Sequence, residues 1–197
     1  MIHWGTALER VAIVVVSFAI AAGIVVLLSG FFSSRDPGGV SGVFAGPGSA
    51  FRDLGDAPLR PGEPKPVYDS NPPTSGPHAP TPIHSDESVL DDNQILTALS
   101  AGDVILLYGG SSPPPGLAEL ARSTSSGPFS PALAQTGQAV ILGRLPGIDG
   151  ILALAWTRML PITGIVRVTV GNDGVLKQFI ESWLGRGASV AAARRNN

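Results

Sequence analysis

The chain has 197 residues, enough for one domain with appendages. Its formal net charge of −2 provides no general basic field for binding nucleic acid. The absence of cysteine excludes disulfides, cysteine-ligated zinc, iron–sulfur clusters, c-type haem attachment and lipoprotein acylation. Composition changes along the chain, from an apolar block through a Gly- and Pro-rich stretch to a more ordinary mixture.

The apolar block spans residues 11–32 and reads VAIVVVSFAIAAGIVVLLSGFF, with no charge between Arg10 and Arg35. At about 1.5 Å per residue, a helix of this length crosses the roughly 30 Å of bilayer hydrocarbon. A cleaved signal peptide is the competing interpretation. We predict a retained transmembrane helix over 11–32, preceded by a short tail of residues 1–10.

The flanking charges indicate the orientation of this helix only weakly, because Glu9 and Arg10 precede it and Arg35 and Asp36 follow it. A short tail ahead of a large C-terminal domain is typical of a signal anchor whose N-terminus stays inside. We therefore expect a single-pass protein of the cell membrane, with a cytoplasmic N-terminus. Its main domain would then be extracytoplasmic, either periplasmic or external.

A Gly- and Pro-rich linker follows at residues 33–66. Its composition predicts no helix and no strand pairing, and its PLRPGEPKP run predicts an extended backbone with polyproline character. A structureless segment of this length is ordered only where it lies on another surface. We therefore expect it to bind a partner, with its apolar side chains as anchors: Val40, Val43, Phe44, Phe51 and Leu54.

The remainder predicts a small mixed α/β outer domain of the α+β class over residues 67–186, and a C-terminal tail over 187–197. Continuous or alternating apolar runs predict four strands. These are DVILLYG (103–109), QAVILGR (138–144), GILALAWTRML (150–160) and IVRVTV (165–170).

Three helices are predicted in the same domain. The first is capped by Asp91 or Asp92, runs through Leu99 and has Gly102 beyond its end. The second covers residues 117–123. The third is capped by Asn172 or Asp173, ends at Gly185 and carries one apolar face, formed by Val175, Leu176, Phe179, Ile180 and Trp183.

The most distinctive local sequence is PPTSGPH at residues 72–78, preceded by Tyr68. Three prolines and a glycine restrict its backbone, so it presents Ser75 and His78 at defined positions. A nucleophilic serine with a histidine base is conceivable, but no third group is marked that would orient the base. We therefore predict that Ser75 is a turn residue whose hydroxyl bonds a backbone N–H.

This segment resembles the hallmark of the bacterial domain-of-unknown-function 3105 family. The resemblance extends from about Tyr68 to Trp183, through the strand VILLY at 104–108, Ala155-Trp156-Thr157-Arg158 and Phe179-Ile180. Thr157 stands where the family has glycine. The resemblance implies a membrane-anchored domain outside the cytoplasm, and it implies no established activity.

The chain departs from that family at three positions, where Thr97, Ser100 and Ala101 replace His, Glu and His. His78 and His84 remain as weak metal-ligand candidates, with Asp86 and Glu87 nearby. A firm metal site normally needs three or four ligands. We therefore expect no catalytic residue, no cofactor and no metal.

Two functions remain open. The first is a non-catalytic accessory subunit that stabilises a larger membrane protein complex, respiratory or photosynthetic, through its span, linker and outer domain. Its partners would be other subunits and the lipid bilayer, and not nucleic acid. The alternative is a membrane-tethered extracytoplasmic domain that binds a metal or a small ligand. An enzyme is not expected, because no complete catalytic constellation is present.

Overall fold

The computed structural model describes residues 46–60, 62–163 and 173–189, which all lie in one compact unit. The predicted transmembrane helix over 11–32 and the predicted strand over 165–170 fall outside these residues. Within the described part of the chain, no helix combines the length and the apolar character needed to cross a bilayer.

A six-stranded mixed sheet forms the centre of the domain, which confirms the α+β class. Its order is β1-β6-β5-β3-β4-β2. Strands β2, β3 and β4 run parallel, whereas β5, β6 and β1 pair antiparallel. The strands are β1 (Ser49–Ala50), β2 (Ser88–Val89), β3 (Val104–Tyr108), β4 (Val140–Arg144), β5 (Ile151–Ala155) and β6 (Arg158–Ile162).

Helices cover both faces of this sheet. They are α1 (Asp92–Ala101), α2 (Leu117–Thr124), α3 (Pro131–Gln135) and α4 (Asp173–Trp183). On one face Leu106 of β3 belongs to an apolar cluster with α2 and α4, and on the other Ile105 packs with α1 and α3. Because both faces are buried, the central strands read as continuous apolar runs, as the sequence indicated.

Helix α1 begins and ends where the sequence predicts. The Asp91 carboxylate accepts the Gln94 amide at 2.9 Å, and the Gln94 side chain accepts the Asp91 amide at 3.1 Å. This reciprocal capping box satisfies two otherwise unpaired amides. Gly102 ends the helix in the left-handed conformation, with φ of 117°.

The run at 150–160 is two strands and not the single strand that was predicted. Trp156 and Thr157 turn the chain between β5 and β6, and Thr157 adopts φ of 60°. This conformation favours glycine, which is the residue that the resemblance implies for this position. The turn at Trp156 and Thr157 could not be recognised in the apolar sequence, because neither residue is typical of turns.

The predicted apolar face of α4 needs one correction. Leu176, Phe179, Ile180 and Trp183 are buried, but Val175 is 52% exposed. Helix α3 was not predicted, although Ser130 caps it by accepting the Leu133 amide at 3.2 Å.

Two residues near the middle of the predicted linker form an edge strand of the sheet. Strand β1 pairs with β6 with Ser49 opposite Met159, so the expectation of no strand pairing was wrong for this segment. We call residues 46–60 the strap. It belongs to the compact unit, whereas the sequence placed the domain boundary between residues 66 and 67.

The glycines of the strap led the sequence analysis to predict no regular structure there. In the structure, the same glycines allow the strap to pack closely against α4. A Cβ on Gly46 would lie 2.5 Å from the Trp183 ring. A Cβ on Gly48, whose φ is 93°, would lie 2.8 Å from the Phe179 ring. The strap therefore reaches α4 because these positions carry no side chain.

Candidate functional site

The PPTSGPH loop (residues 72–78) is buried in the domain, and only Pro77 is half-buried. The side chains that carry potential chemistry, Ser75 and His78, are 0% and 4% exposed. Burial of polar side chains is unfavourable unless they are hydrogen-bonded, so their partners define what the loop does.

The Ser75 hydroxyl fastens the strap. It accepts the Leu54 amide at 3.1 Å and donates to the Arg52 carbonyl at 2.8 Å. This confirms that the hydroxyl bonds a backbone N–H, but that N–H lies 21 residues earlier and not within the turn. With its proton and one lone pair both engaged, Ser75 acts as a structural bridge.

His78 joins the same strap through its backbone. Its amide donates to the Ala57 carbonyl at 3.1 Å, and its carbonyl accepts the Leu59 amide at 2.9 Å. The ring Nδ1 lies 2.9 Å from the Gly76 carbonyl. Because a carbonyl only accepts, Nδ1 carries the proton, and in the neutral imidazole the lone pair is then on Nε2.

The other predicted metal candidate lies apart from this bonding. His84 is exposed in the loop before β2. The nearby Asp86 carboxylate accepts the Leu142 amide of β4 at 2.7 Å, and burial raises its pKa above the ordinary value. Throughout the described ranges, no three His, Asp or Glu side chains cluster closely enough to hold a metal ion.

The turn between β5 and β6 meets the PPTSGPH loop and the strap. The Thr157 amide donates to the Thr74 carbonyl at 3.0 Å, and the Thr157 carbonyl accepts the Phe51 amide at 2.9 Å. The Tyr68 hydroxyl donates to the Pro77 carbonyl at 2.9 Å. Three sequence segments that carry the family resemblance are thus brought together here.

The three positions for which the resemblance implies His, Glu and His lie on α1. Thr97 accepts the Thr81 amide through its hydroxyl oxygen at 2.9 Å, which ties the segment after the loop to the helix. Ser100 donates to the Thr97 carbonyl at 2.9 Å, and Ala101 is exposed. Thr97 therefore has a structural role here.

A second contact region joins Arg158, Trp183 and the strap, and the sequence analysis predicted only part of it. The buried Arg158 guanidinium stacks 4.5 Å above the Trp183 ring, and burial lowers its pKa. Trp183 donates its Nε1–H to the Pro47 carbonyl at 2.9 Å, so the strap caps this stack. The Ala-Trp-Thr-Arg resemblance marked Arg158, but no local pattern predicted its stacking partner.

Asp103 was missed by the sequence analysis, which placed it at the start of an apolar strand. Its side chain is 1% exposed, and Oδ1 accepts the Ala139 amide at 2.8 Å. Within the described structure, Oδ2 is buried without a hydrogen-bond partner. Burial raises the pKa of Asp103 from 3.8 to about 8, so its carboxyl is largely protonated at neutral pH.

The predicted partner-binding residues divide into two groups. Phe51 and Leu54 lie half-buried in the strap, with their amides bonded to the domain itself. Val40, Val43 and Phe44 fall outside the described residues. Binding of a partner at any of these positions stays a prediction.

Comparison with known protein families places the chain in one of them. The family described as a protein of unknown function, DUF3105, matches residues 64–194, which is more than half of the chain. Neither a curated protein nor a solved structure matches it. The strap lies before the matched region, although it is bonded to that region at the PPTSGPH loop, at Thr157 and at Trp183.

Proposed function

This chain belongs to the DUF3105 family, and we propose that it is a non-catalytic membrane accessory subunit. In this proposal it stabilises a larger membrane protein complex, such as a respiratory or photosynthetic one. The observation that carries the proposal is the bonding of the PPTSGPH loop. Ser75 and the His78 backbone hold the strap, and a fastening role suits a scaffold better than a reaction.

The position of the strap in the chain supports this role. It follows residues 33–45 and the apolar stretch at 11–32, which we propose to be a single transmembrane anchor. The strap is hydrogen-bonded to the PPTSGPH loop at Leu54, Ala57 and Leu59. In this proposal it therefore connects the anchor to the folded domain through ordered backbone. In this proposal the N-terminus is cytoplasmic and the domain is extracytoplasmic.

Purification of the tagged full-length chain from native membranes in mild detergent tests the proposal. We expect it to copurify with a defined set of membrane proteins at a constant ratio. A matched variant would carry a foreign transmembrane segment and a scrambled 33–45, with the strap intact, and should lose this association. Recovery of the unmodified chain only as a free monomer would overturn the proposal.

One observation favours the alternative of a tethered metal- or ligand-binding domain. The Nδ1–H bond to Gly76 leaves the His78 Nε2 lone pair as an acceptor, the form in which imidazole binds zinc or copper. Metal analysis of the full-length protein, with His78→Ala and His84→Ala as controls, decides between the two. The alternative requires stoichiometric metal that is lost in these variants.

A further inference from the structure

The C-terminal end of α1 is enclosed by two other segments of the chain. The Gly185 amide donates to the Gly102 carbonyl at 2.8 Å, which joins the turn after α4 to the end of α1. A Cβ on Gly187 would lie 2.1 Å from the Ser100 carbonyl oxygen, and one on Gly137 would lie equally close to the carbonyl oxygen of the last helical residue. The three backbones therefore approach each other more closely than side chains would allow.

Asp103 follows Gly102 directly and places a carboxyl group at this junction. Its Oδ1 accepts the Ala139 amide at 2.8 Å. Its Oδ2 has no hydrogen-bond partner among the described residues, and less than 1 Å² of that atom is accessible to solvent. An ionised Oδ2 would therefore have neither a donor nor water beside it, and the burial of such a charge is strongly unfavourable. The closed structure favours the protonated carboxyl.

The surrounding elements bring no compensating charge to Asp103. Burial is the larger cause of its raised pKa of about 8, and the Ala139 amide acts in the opposite direction. The last turn of α1 carries no basic residue, and residues 136–139 include no ionisable side chain. Charged and ionisable groups of the neighbouring elements lie at the other ends of α1, β3 and β4 or on the Trp183 ring. They are Asp91, Asp92, Tyr108, Arg144, Arg158 and Arg186.

Of the segments that enclose the carboxyl, residues 185–189 can move with the least disruption, and we call them the C-terminal segment. Residues 137–139 continue into β4 in the interior of the sheet, and α1 is held by its capping box. The C-terminal segment lies outside the sheet and is bonded to α1 through the Gly185 amide. Its apolar contribution to the core is the small side chain of Ala188, so its release uncovers little apolar surface.

We propose that Asp103 is a proton-binding site that controls release of the C-terminal segment from α1. The protonated carboxyl keeps the segment closed. Loss of the proton favours an open form in which water reaches Oδ2. Because the closed form binds the proton more tightly, the proton concentration sets the balance between the two forms. This inference goes beyond the accessory-subunit function and does not depend on it.

The direction and the pH range of the effect follow from the two pKa values. In the open form Asp103 has the ordinary value of 3.8, whereas in the closed form its pKa is about 8. Between these values the closed form holds the additional proton, so the ratio of open to closed chains rises by up to about tenfold for each pH unit. Above about pH 8 both forms are ionised, and the ratio stops rising.

Hydrogen exchange of the full-length chain in detergent, followed by peptide mass spectrometry, measures this opening. After correction for the intrinsic exchange rate, protection of residues 184–189 should fall from about pH 5 to about pH 8 and then level off. At each pH it should be at least about tenfold lower than the protection of residues 104–108 in β3, because the segment opens without global unfolding. Equal protection of the two peptides at every pH would overturn the proposal.

Asp103→Asn supplies the second measurement, because the side chain no longer ionises. We expect protection of residues 184–189 in this variant to be independent of pH. The matched control is Asp56→Asn, which removes an exposed carboxylate in the strap and should retain the pH dependence. Persistence of the pH dependence in Asp103→Asn would also overturn the proposal. If that variant does not fold, the comparison of the two peptides in the unmodified chain still decides.

Discussion

Ser75 shows how one buried hydroxyl holds two distant parts of the chain together. Ser75→Ala leaves the Leu54 amide and the Arg52 carbonyl without their partner. We expect the free energy of unfolding to fall by about 1–3 kcal/mol, the usual cost of unpaired buried groups. Urea denaturation measures this loss, and faster hydrogen exchange at the Leu54 amide locates it.

Ser112→Ala is the matched control for this substitution, because Ser112 is exposed in the loop before α2. Its effect should stay within about 0.5 kcal/mol. Equal stability of the Ser75 and Ser112 variants would contradict the fastening role of Ser75.

Asp103 makes stability depend on pH. Its pKa is raised from 3.8 to about 8 in the folded state, so between these values the folded chain retains a proton that the unfolded chain releases. Stability should therefore decrease as the pH rises from about 4 towards 8. The contribution of Asp103 is least unfavourable at the acid end of this window and most unfavourable at and above its upper end.

Asp103→Asn tests this dependence, because an amide oxygen can still accept the Ala139 N–H and the side chain no longer ionises. We expect the variant to be more stable than the unmodified protein at pH 8 and to show a flatter stability profile from pH 5 to 8. Chemical denaturation across this range measures both. Parallel profiles would show that Asp103 is not the group responsible.

At the scale of elements, the sequence predicts strands that are continuous apolar runs and helices that have an apolar face and a recognisable cap. Helix α1 and strands β3 and β4 were expected close to their observed positions for this reason. The division of β5 and β6 was missed, because Thr157 takes a left-handed conformation without a glycine signal. Strand β1 was missed because edge pairing needs only backbone groups, which leave no side-chain pattern.

Close approach of the backbone after β4 provides a test at this scale. Gly147 and Gly150 have φ of 95° and 90°, so alanine suffers similar backbone strain at both, about 1–2 kcal/mol. A Cβ at Gly147 meets nothing within 4 Å, whereas at Gly150 it lies 2.1 Å from the Ile162 carbonyl oxygen.

Gly150→Ala should therefore lower the free energy of unfolding clearly more than Gly147→Ala does. Thermal unfolding of the two variants gives the comparison, and the difference isolates the clash at the β5–β6 pair from the shared strain. An equal decrease in the free energy of unfolding for both variants would mean that the β5–β6 hairpin accommodates the added methyl group without destabilisation.

At the scale of the whole molecule, the sequence predicted the PPTSGPH loop but not the residues that contact it. The prolines and glycine of PPTSGPH indicated a rigid turn with Ser75 and His78, and both lie there. Their partners in the strap come from more than 15 residues away, a separation over which no local pattern operates. The sequence predicted a linker for the strap because its glycines disfavour regular structure. The strap is ordered by packing against Trp183 and Phe179, and these residues lie far away in the sequence.

Truncation tests this organisation. A chain beginning at residue 67 lacks β1, which exposes the β6 edge, and it also uncovers Trp183. A chain beginning at residue 46 retains both contacts. We expect the shorter chain to melt at a lower temperature and to aggregate more readily. Differential scanning calorimetry and size-exclusion chromatography compare them, and equal behaviour would show that the strap is dispensable.

The pairing of β1 with β6 also orders the events of biosynthesis. Ser49 pairs with Met159, which follows it by 110 positions, so the first strand made must wait for the last strand of the sheet. Contacts over such separations form slowly, because a long loop must close before they add stability. Until β6 has been synthesised, the strap has no strand edge to pair with. Completion of the sheet is therefore a late event, after nearly the whole domain has been synthesised.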